Sequence, residues 1–476
     1  MYKKSLNIIA FKMQKGRNMN KFKLFSVIVL VFIASYSFAQ WTFVGGVTGA
    51  GTFPSISVVD ANTLFVGGGA SGVAAVFKST NGGTSFTSVG VSGVSLELYC
   101  IWAKDLNTIY GGDGGASGGS GGNAKVYFTS NAGTSWSTLL QTGGSAGFVN
   151  GIVFSRINPL YGFAESDPPT SGGVYWVQKT TNGGANWTLQ NPPSLGSSWA
   201  SGQNTLFMID DTFYGFGSSG PTTSLPKSYI TSNGGTTWYN AVMTGAPVGS
   251  SQHFCSNVTF SSNKLNGIGG SSNTSTTISR TTNGGVSWFT QAIPSTVTTG
   301  YLNAKWVPNS STVFIVVSPS SGVTQSFKST DNGATWTALT WPSGVTYCTH
   351  MDMYVSGTTA TLYASCSDGS VCKLTQTVTG INDPQAVTPS EYKLEQNYPN
   401  PFNPKTTINY SIPKASFVTL KVYDVLGSEV MTVVSEQQSA KNYSYDVDFS
   451  KLSSGVYYYT IKAGNYSATK KLMLVK

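Results

Sequence analysis

Apolar and polar residues alternate along most of this chain in short runs, as in "KVYF", "KSYI" and "LYCIWAKDLNTIYGG", and Gly, Asn, Ser and Thr close each run. Alternation with a period of two, punctuated by turn residues, predicts half-buried strands joined by tight connections. Runs of helical period are scarce, and 55 glycines stand among many Ser and Thr residues. The expected class is all-β.

The strand pattern is periodic. Six variants of one phrase recur: "STNGGTSF" (79–86), "TSNAGTSW" (129–136), "TTNGGANW" (180–187), "TSNGGTTW" (231–238), "TTNGGVSW" (281–288) and "STDNGATW" (329–336). Their third residues, Asn81, Asn131, Asn182, Asn233, Asn283 and Asp331, stand 50, 51, 51, 50 and 48 apart. A period of this size is a repeat architecture, and four strands per repeat is a propeller blade. The phrase itself predicts a hairpin: an Asn or Asp side chain bonding the backbone two residues on, a Gly at positive φ, and an aromatic anchor opening the next strand. After Asp331 three more strands follow without a fourth of this type. "QWTFVGG" near the N-terminus resembles the strand "NWTLQ", so Trp41 is expected to complete the last blade and close a ring of seven.

An aromatic residue stands near the start of each expected first strand: Phe53, Tyr99, Phe148, Trp199, Phe254, Tyr301 and Tyr347. These residues either form a collar at the mouth of the central channel, available for binding, or wedge between blades as core.

The phrase resembles the Asp box of the BNR family, found in sialidases, sortilin-type receptors, xyloglucan hydrolases and photosystem II assembly-factor-like propellers. The resemblance covers residues 40 to about 380. It implies a seven-bladed propeller in which the boxes are structural turns remote from any active site. Asn replaces Asp in five of the six boxes, which keeps the turn chemistry and removes a charge, so a scaffold role fits better than calcium binding.

Beyond a polar linker expected over 379–391, the composition changes. Val418, Leu420 and Val422 alternate with Thr419 and Lys421, and a similar alternation over 456–461 completes the pattern of a compact, Ig-like β-sandwich over 392–476. This segment resembles the type A sorting domain of the type IX secretion system of Bacteroidota and related bacteria. The matching residues are 396–404, which include Pro399, Pro401, Phe402, Asn403 and Pro404; Tyr423, Asp424 and Gly427; Gly455, Val456 and Tyr457; and the terminal stretch from Lys470 and Lys471 to Lys476. The resemblance implies passage through the periplasm, export by the type IX machinery as a partner, and release or attachment at the outer-membrane surface.

Charge agrees with export. The formal +9 arises because residues 1–39 hold seven bases and no acid; without them 28 − 7 = 21 bases face 19 acids, a charge of +2, which removes the case for a nucleic-acid partner. Those residues read as a signal peptide: bases, an apolar run from Leu24 to Ile33, and Ser37-Phe38-Ala39 before Gln40, with Met19 as an alternative start. The run is shorter than the roughly 20 apolar residues that span a bilayer. Among five cysteines, Cys366 and Cys372 flank a turn that can set them opposite each other for a bridge, and the odd number leaves at least one thiol over.

Candidate chemistry is sparse. A sialidase of the BNR family grips its substrate carboxylate with three arginines, and only Arg156 and Arg280 remain after the signal. A glycosidase needs two facing carboxylates, for which Glu165 and Asp167 are the best candidates, although "AESDPPTSGG" also reads as a loop. Asp60, Asp105, Asp210 and Asp211 fall in expected turns after first strands. His253, His350 and Asp352 lie near first strands and could approach the channel to bind a metal or a ligand, although two His from separate blades are more often incidental. No cofactor, no metal and no catalytic residue is expected. The reading is a secreted or cell-surface binding propeller for a glycan or protein; the alternatives are a glycoside hydrolase other than a sialidase, and a structural adhesion component.

Overall fold

The computed structural model describes residues 40–115, 123–170, 172–192, 200–219, 225–244, 255–271, 276–295, 301–319, 323–345, 347–378, 391–414, 416–438 and 441–476. The expected signal, almost all of the linker, Trp199, His253 and Phe254 lie outside the described residues.

Each repeat folds as an antiparallel sheet whose strands lie in chain order. In the first sheet Ser55–Val58 pairs with Leu64–Ala70, which pairs with Val73–Ser79, which pairs with Thr87–Val89. Five more sheets begin at Leu98, Val149, Ala200, Cys255 and Tyr301. In the sheet beginning at Ala200 the inner strand is interrupted: Ala200–Ser201 and Phe207–Met208 both pair with Tyr214–Ser219. The last sheet takes Cys348–Ser356, Thr359–Cys366 and Ser370–Thr377 in order and completes itself with Thr42–Gly46 from the other end of the chain. Inner strands of successive sheets lie side by side, and Cys348–Ser356 lies against Ser55–Val58. Seven sheets among the described residues thus close a ring, which is a β-propeller.

The burial pattern follows from this stacking. Most inner and second strands are buried on both faces, as in Ser55–Val58, Ile109–Asp113 and Val313–Ser318, because neighbouring sheets cover both sides. Outermost strands such as Thr188–Gln190 are largely exposed. The core is therefore divided into slabs between sheets: Phe65 and Val76 of the first meet Leu98, Ile101 and Tyr127 of the second. Trp41, fully buried, secures the closing strand; its Nε1–H donates to Ser326 Oγ at 2.9 Å and its ring centroid lies 5.1 Å from that of Trp341.

The recurrent phrase has one geometry. Ser79 Oγ accepts the N–H of Gly83 (2.9 Å) and donates to Asn81 Oδ1 (2.9 Å), which accepts the N–H of Ser85 (3.1 Å). Equivalent bonds occur around Asn131, Asn182, Asn233, Asn283 and Asp331. The expected bond from the Asn side chain to the backbone two residues on is thus corrected to one four residues on. Two successive left-handed residues, Gly82 (φ 73°) and Gly83 (φ 85°), curl the chain back to bring that N–H within reach. Asn81 Nδ2 donates to Ser85 Oγ; where Asp331 stands instead, the Thr335 hydroxyl reverses and donates to the carboxylate. Two of the closing tryptophans anchor across sheets, Trp136 Nε1–H donating to Gly90 O at 2.8 Å and Trp288 Nε1–H to Ser228 Oγ at 2.9 Å, whereas Trp187 Nε1–H donates to Gly184 O within its own phrase.

The C-terminal residues form a sandwich. One sheet orders Lys393–Leu394, Lys405–Ile412 and Lys441–Asp448; the other orders Glu429–Gln438, Ser416–Tyr423, Gly455–Ala463 and Tyr466–Leu474. Val418, Leu420 and Val422 face inward with Tyr459, Ile461, Ile408 and Tyr410, as their alternation predicts. Phe402 joins this core, and its backbone bonds Met473 and Val475. Asn397 is buried; its N–H donates to Tyr459 Oη (2.7 Å) and its Nδ2 to Thr406 Oγ1 (3.0 Å). Asn400 Oδ1 accepts the Met473 N–H at 2.9 Å. The motif that opens the domain is therefore a hydrogen-bonded clasp on its final strand. All five cysteines are buried free thiols, Cys366 and Cys372 among them, so the bridge considered from their spacing is not formed.

Candidate functional site

The channel is built from the unpaired edges of the inner strands, and such an edge must satisfy its N–H groups somehow. Here the preceding sheet supplies acceptors. Ser55 and Ser57 accept the N–H groups of Ile101 (3.2 Å) and Ala103 (2.9 Å), and Ser256 accepts that of Leu302 (3.1 Å). His350 Nδ1 accepts the N–H of Ile56 (3.1 Å), and Asp352 accepts that of Val58 (2.8 Å). The rising order of both partners shows that neighbouring inner strands run parallel, so all of them start at one end of the channel.

His350 and Asp352 are therefore latches between the last sheet and the first, while His253 lies outside the described residues. Burial in this site, together with the Lys305 cation, pushes the His350 imidazole down to about pKa 3 and leaves it a neutral acceptor. Burial opposes ionisation of Asp352, but Arg156 and Lys305 outweigh it and hold its carboxyl below the ordinary value. Arg156, just beyond the strand Val149–Phe154, reaches across from the third sheet; it pairs with Asp352 and donates to Val58 O at 3.0 Å. Lys305 is half-buried in the strand Tyr301–Trp306, and burial lowers its pKa. Two cations thus face one carboxylate near the strand ends. Sequence reasoning named Arg156 only as too few for a sialidase and passed over Lys305, because neither has a motif around it.

Phe53, Tyr99, Phe148, Tyr301 and Tyr347 occupy the opposite end, at or near the starts of the inner strands. From Tyr301 to Lys305 is four residues, about 13 Å of strand. Tyr99 and Phe148 are half-buried with ring centroids 4.6 Å apart, and Tyr301 and Tyr347 likewise at 5.6 Å. Phe53 is 48% exposed. The Tyr99–Phe148 and Tyr301–Tyr347 rings pair between neighbouring sheets. Trp199 and Phe254 lie outside the described residues.

The acids are mostly committed elsewhere. Asp60, Asp105 and Asp210 each accept backbone N–H groups two and three residues on, closing the turn after an inner strand. Asp113 is buried and accepts from Gly115 N, Lys125 N and Tyr127 Oη. Glu97 binds Tyr99 Oη, and Asp368 the N–H of Ser370. Glu165 is fully buried in Gly162–Ser166, and Asp167 accepts from Asn150 Nδ2 at 2.9 Å. Arg280 donates to Asn332 O at 2.9 Å in another part of the propeller from Arg156. Among the described residues no group of three or more His, Cys, Asp or Glu side chains is placed to hold a metal.

No curated protein matches the sequence. Solved structures with a similar chain path include "YCF48 bound to D1 peptide" (16% identity, 73% of this chain and 97% of that one, TM-score 0.46). YCF48 from Cyanidioschyzon merolae (15%, 71% and 98%, 0.46) and an ancestral GH74 enzyme (13%, 92% and 63%, 0.47) also overlap. The propeller assignment rests on the sheet order above rather than on these overlaps. Residues 396–476 match the secretion system C-terminal sorting domain. That domain directs the protein to secretion and to the outer cell surface by way of the type IX machinery.

Proposed function

We propose that the propeller binds a protein or glycan partner at the cell surface or outside the cell, without catalysing a reaction on it. The observation that carries this reading is the fate of the carboxylates. Asp60, Asp105, Asp113, Asp210 and Asp352 all spend oxygens on backbone N–H groups of the propeller itself. Glu165, half of the best candidate pair for glycoside hydrolysis, is sealed inside its sheet, where a saccharide does not reach it. The half-open aromatic pairs Tyr99–Phe148 and Tyr301–Tyr347, with Phe53, offer apolar contact area at one channel mouth, while Arg156 and Lys305 place positive charge toward the other. The seven aromatics at the strand starts, Trp199 and Phe254 included, are the proposed contact residues; the six box residues are proposed as scaffold.

The test is a screen of the mature chain against polysaccharides, glycans and extracellular proteins, with mass-spectrometric analysis of products in the same wells. Binding without products, lost on Tyr301→Ala or Tyr347→Ala, is the expected result. Heat-labile hydrolysis of any polysaccharide that survives purification to homogeneity overturns it.

A further inference from the structure

The sandwich carries a hydrophobic knob for which its own fold has no use. Ser416–Tyr423 and Glu429–Gln438 are joined by Asp424-Val425-Leu426-Gly427-Ser428. The Asp424 carboxylate accepts the N–H groups of Leu426 and Ser428, both at 2.9 Å. Its backbone closes the turn from the other side: Asp424 N–H donates to Ser428 O (3.0 Å), and Gly427 N–H donates to Asp424 O (3.1 Å), with Gly427 at φ 84°. A turn held this way needs the Asp and the Gly. It gains nothing from Val425, 66% exposed, or from Leu426, which at 87% is the most exposed large hydrophobic side chain among the described residues.

The surroundings add to the feature. The register sets Tyr423 beside Tyr458 and Tyr458 beside Lys471, in the row from which the turn projects, and Tyr458 is 39% exposed. Residues 396–476 contain nine lysines and five acids with no arginine or histidine, a net charge of 9 − 5 = +4.

We propose that the Val425–Leu426 tip is where the export machinery grips the sorting domain, the two side chains entering an apolar pocket with an acidic rim on a protein subunit of that machinery. The occupant follows from what residues 396–476 are: a sorting domain works by being recognised, and recognition uses its surface. The clasp residues Asn397 and Phe402 are buried and serve the fold, whereas the tip is exposed and serves nothing inside it. A preformed turn loses little conformational freedom on docking, and a few side chains buried in a pocket supply most of the energy of such contacts. The lysines select an acidic rim and raise the rate of encounter. This inference rests on the sorting domain and is independent of what the propeller binds.

The experiment expresses the full chain with Leu426→Asp in a bacterium that possesses this secretion system and compares culture medium, cell surface and periplasm. The exported fraction is expected to fall at least tenfold, with protein accumulating in the periplasm whose melting transition matches the wild type. Phe417→Asp, also open to solvent (57% exposed) but at the far end of the strand that leads into the turn, is expected to be exported normally. Normal export of Leu426→Asp overturns the proposal, as does an equal loss with Phe417→Asp. Should Leu426→Asp melt early, Leu426→Ser decides: folded and retained supports the tip, folded and exported refutes it. Flotation of purified wild-type protein, but not Leu426→Asp, with phosphatidylethanolamine and phosphatidylglycerol vesicles would assign the tip to a membrane instead.

Discussion

Single residues decide how well each recurrent turn is made. Four copies place Gly at the first left-handed position, whereas Ala132 (φ 57°) and Asn332 (φ 60°) hold it in the second and last. A β-carbon there costs roughly 1–2 kcal/mol, offset in part by the greater unfolded-state freedom of Gly. Ala132→Gly is therefore expected to stabilise the protein by about 0.5–1 kcal/mol, read as a shift in denaturation midpoint. Asp331 is the one charged member of the set. Its partial burial opposes ionisation, but the Thr335 hydroxyl, the Thr335 N–H, Ser329 and the Ala334 N–H outweigh that and bring its pKa down to about 2. A depressed carboxylate stabilises the fold above its ordinary pKa and loses that contribution as pH falls toward 2. Asp331→Asn, which restores the residue of the other five copies, should flatten the stability profile between pH 4 and 2 while leaving neutral stability nearly unchanged, as thermal melts across pH would show.

At the scale of the element, the inner strands are edges whose unpaired N–H groups are capped by the sheet before them. Most caps are hydroxyls, but the cap on Ile56 is an imidazole, and this makes one seam of the ring sensitive to acid. The folded protein keeps His350 neutral down to about pH 3, because burial and then Lys305 disfavour its charged form, while the unfolded chain takes up a proton below about 6.5. Stability is thus complete above that value and declines as pH falls from 6.5 toward 3. His350→Asn retains an acceptor for Ile56 and removes the titration. Its melting temperature is expected to drop less between pH 7 and 4.5 than that of the wild type; an identical drop would mean that His350 is not the responsive group. The closing strand is the other sensitive element. Trp41→Ala deletes a fully buried side chain and the bond to Ser326, an expected loss of about 3–5 kcal/mol. Freed from its seam, the N-terminal strand should become the first site of limited proteolysis.

For the whole molecule, the relevant division is between propeller and sandwich. The sandwich core draws only on residues from Tyr392 onward, and the propeller slabs draw only on residues up to Val378. Truncation after residue 378 is expected to leave a folded propeller with its melting transition within a few degrees of the parent, held back in the periplasm. An unfolded truncation product would show that the two parts share stability. The buried thiols provide a check on the intact chain: burial pushes Cys100 and Cys255 up to about pKa 12 and raises Cys348, while the hydrogen bond with Cys372, followed by burial, raises Cys366. Reaction with a thiol reagent is expected only after denaturation.

Local chemistry was legible in the chain itself. The six phrases, the strand alternation and the motif at 396–404 are short-range patterns, so the all-β class, the repeat and the export domain could be read directly from them. Trp41 was placed in the last sheet because its neighbours repeat a strand seen elsewhere. What the sequence could not state is which distant residues share space. Arg156 meets Asp352 across 196 positions and His350 meets Ile56 across 294, because ring closure brings three sheets to one channel. The reach of the Asn side chain to the fourth residue rather than the second likewise depends on two successive left-handed dihedrals. Burial decided the acids: Glu165 and Asp167 are close in sequence, but the stacking of sheets seals one and ties the other to Asn150. Sequence determined the units and their address, since both are written in contiguous residues. Tertiary structure alone decided which side chains face the channel, the solvent or each other, because closing the ring sets those distances.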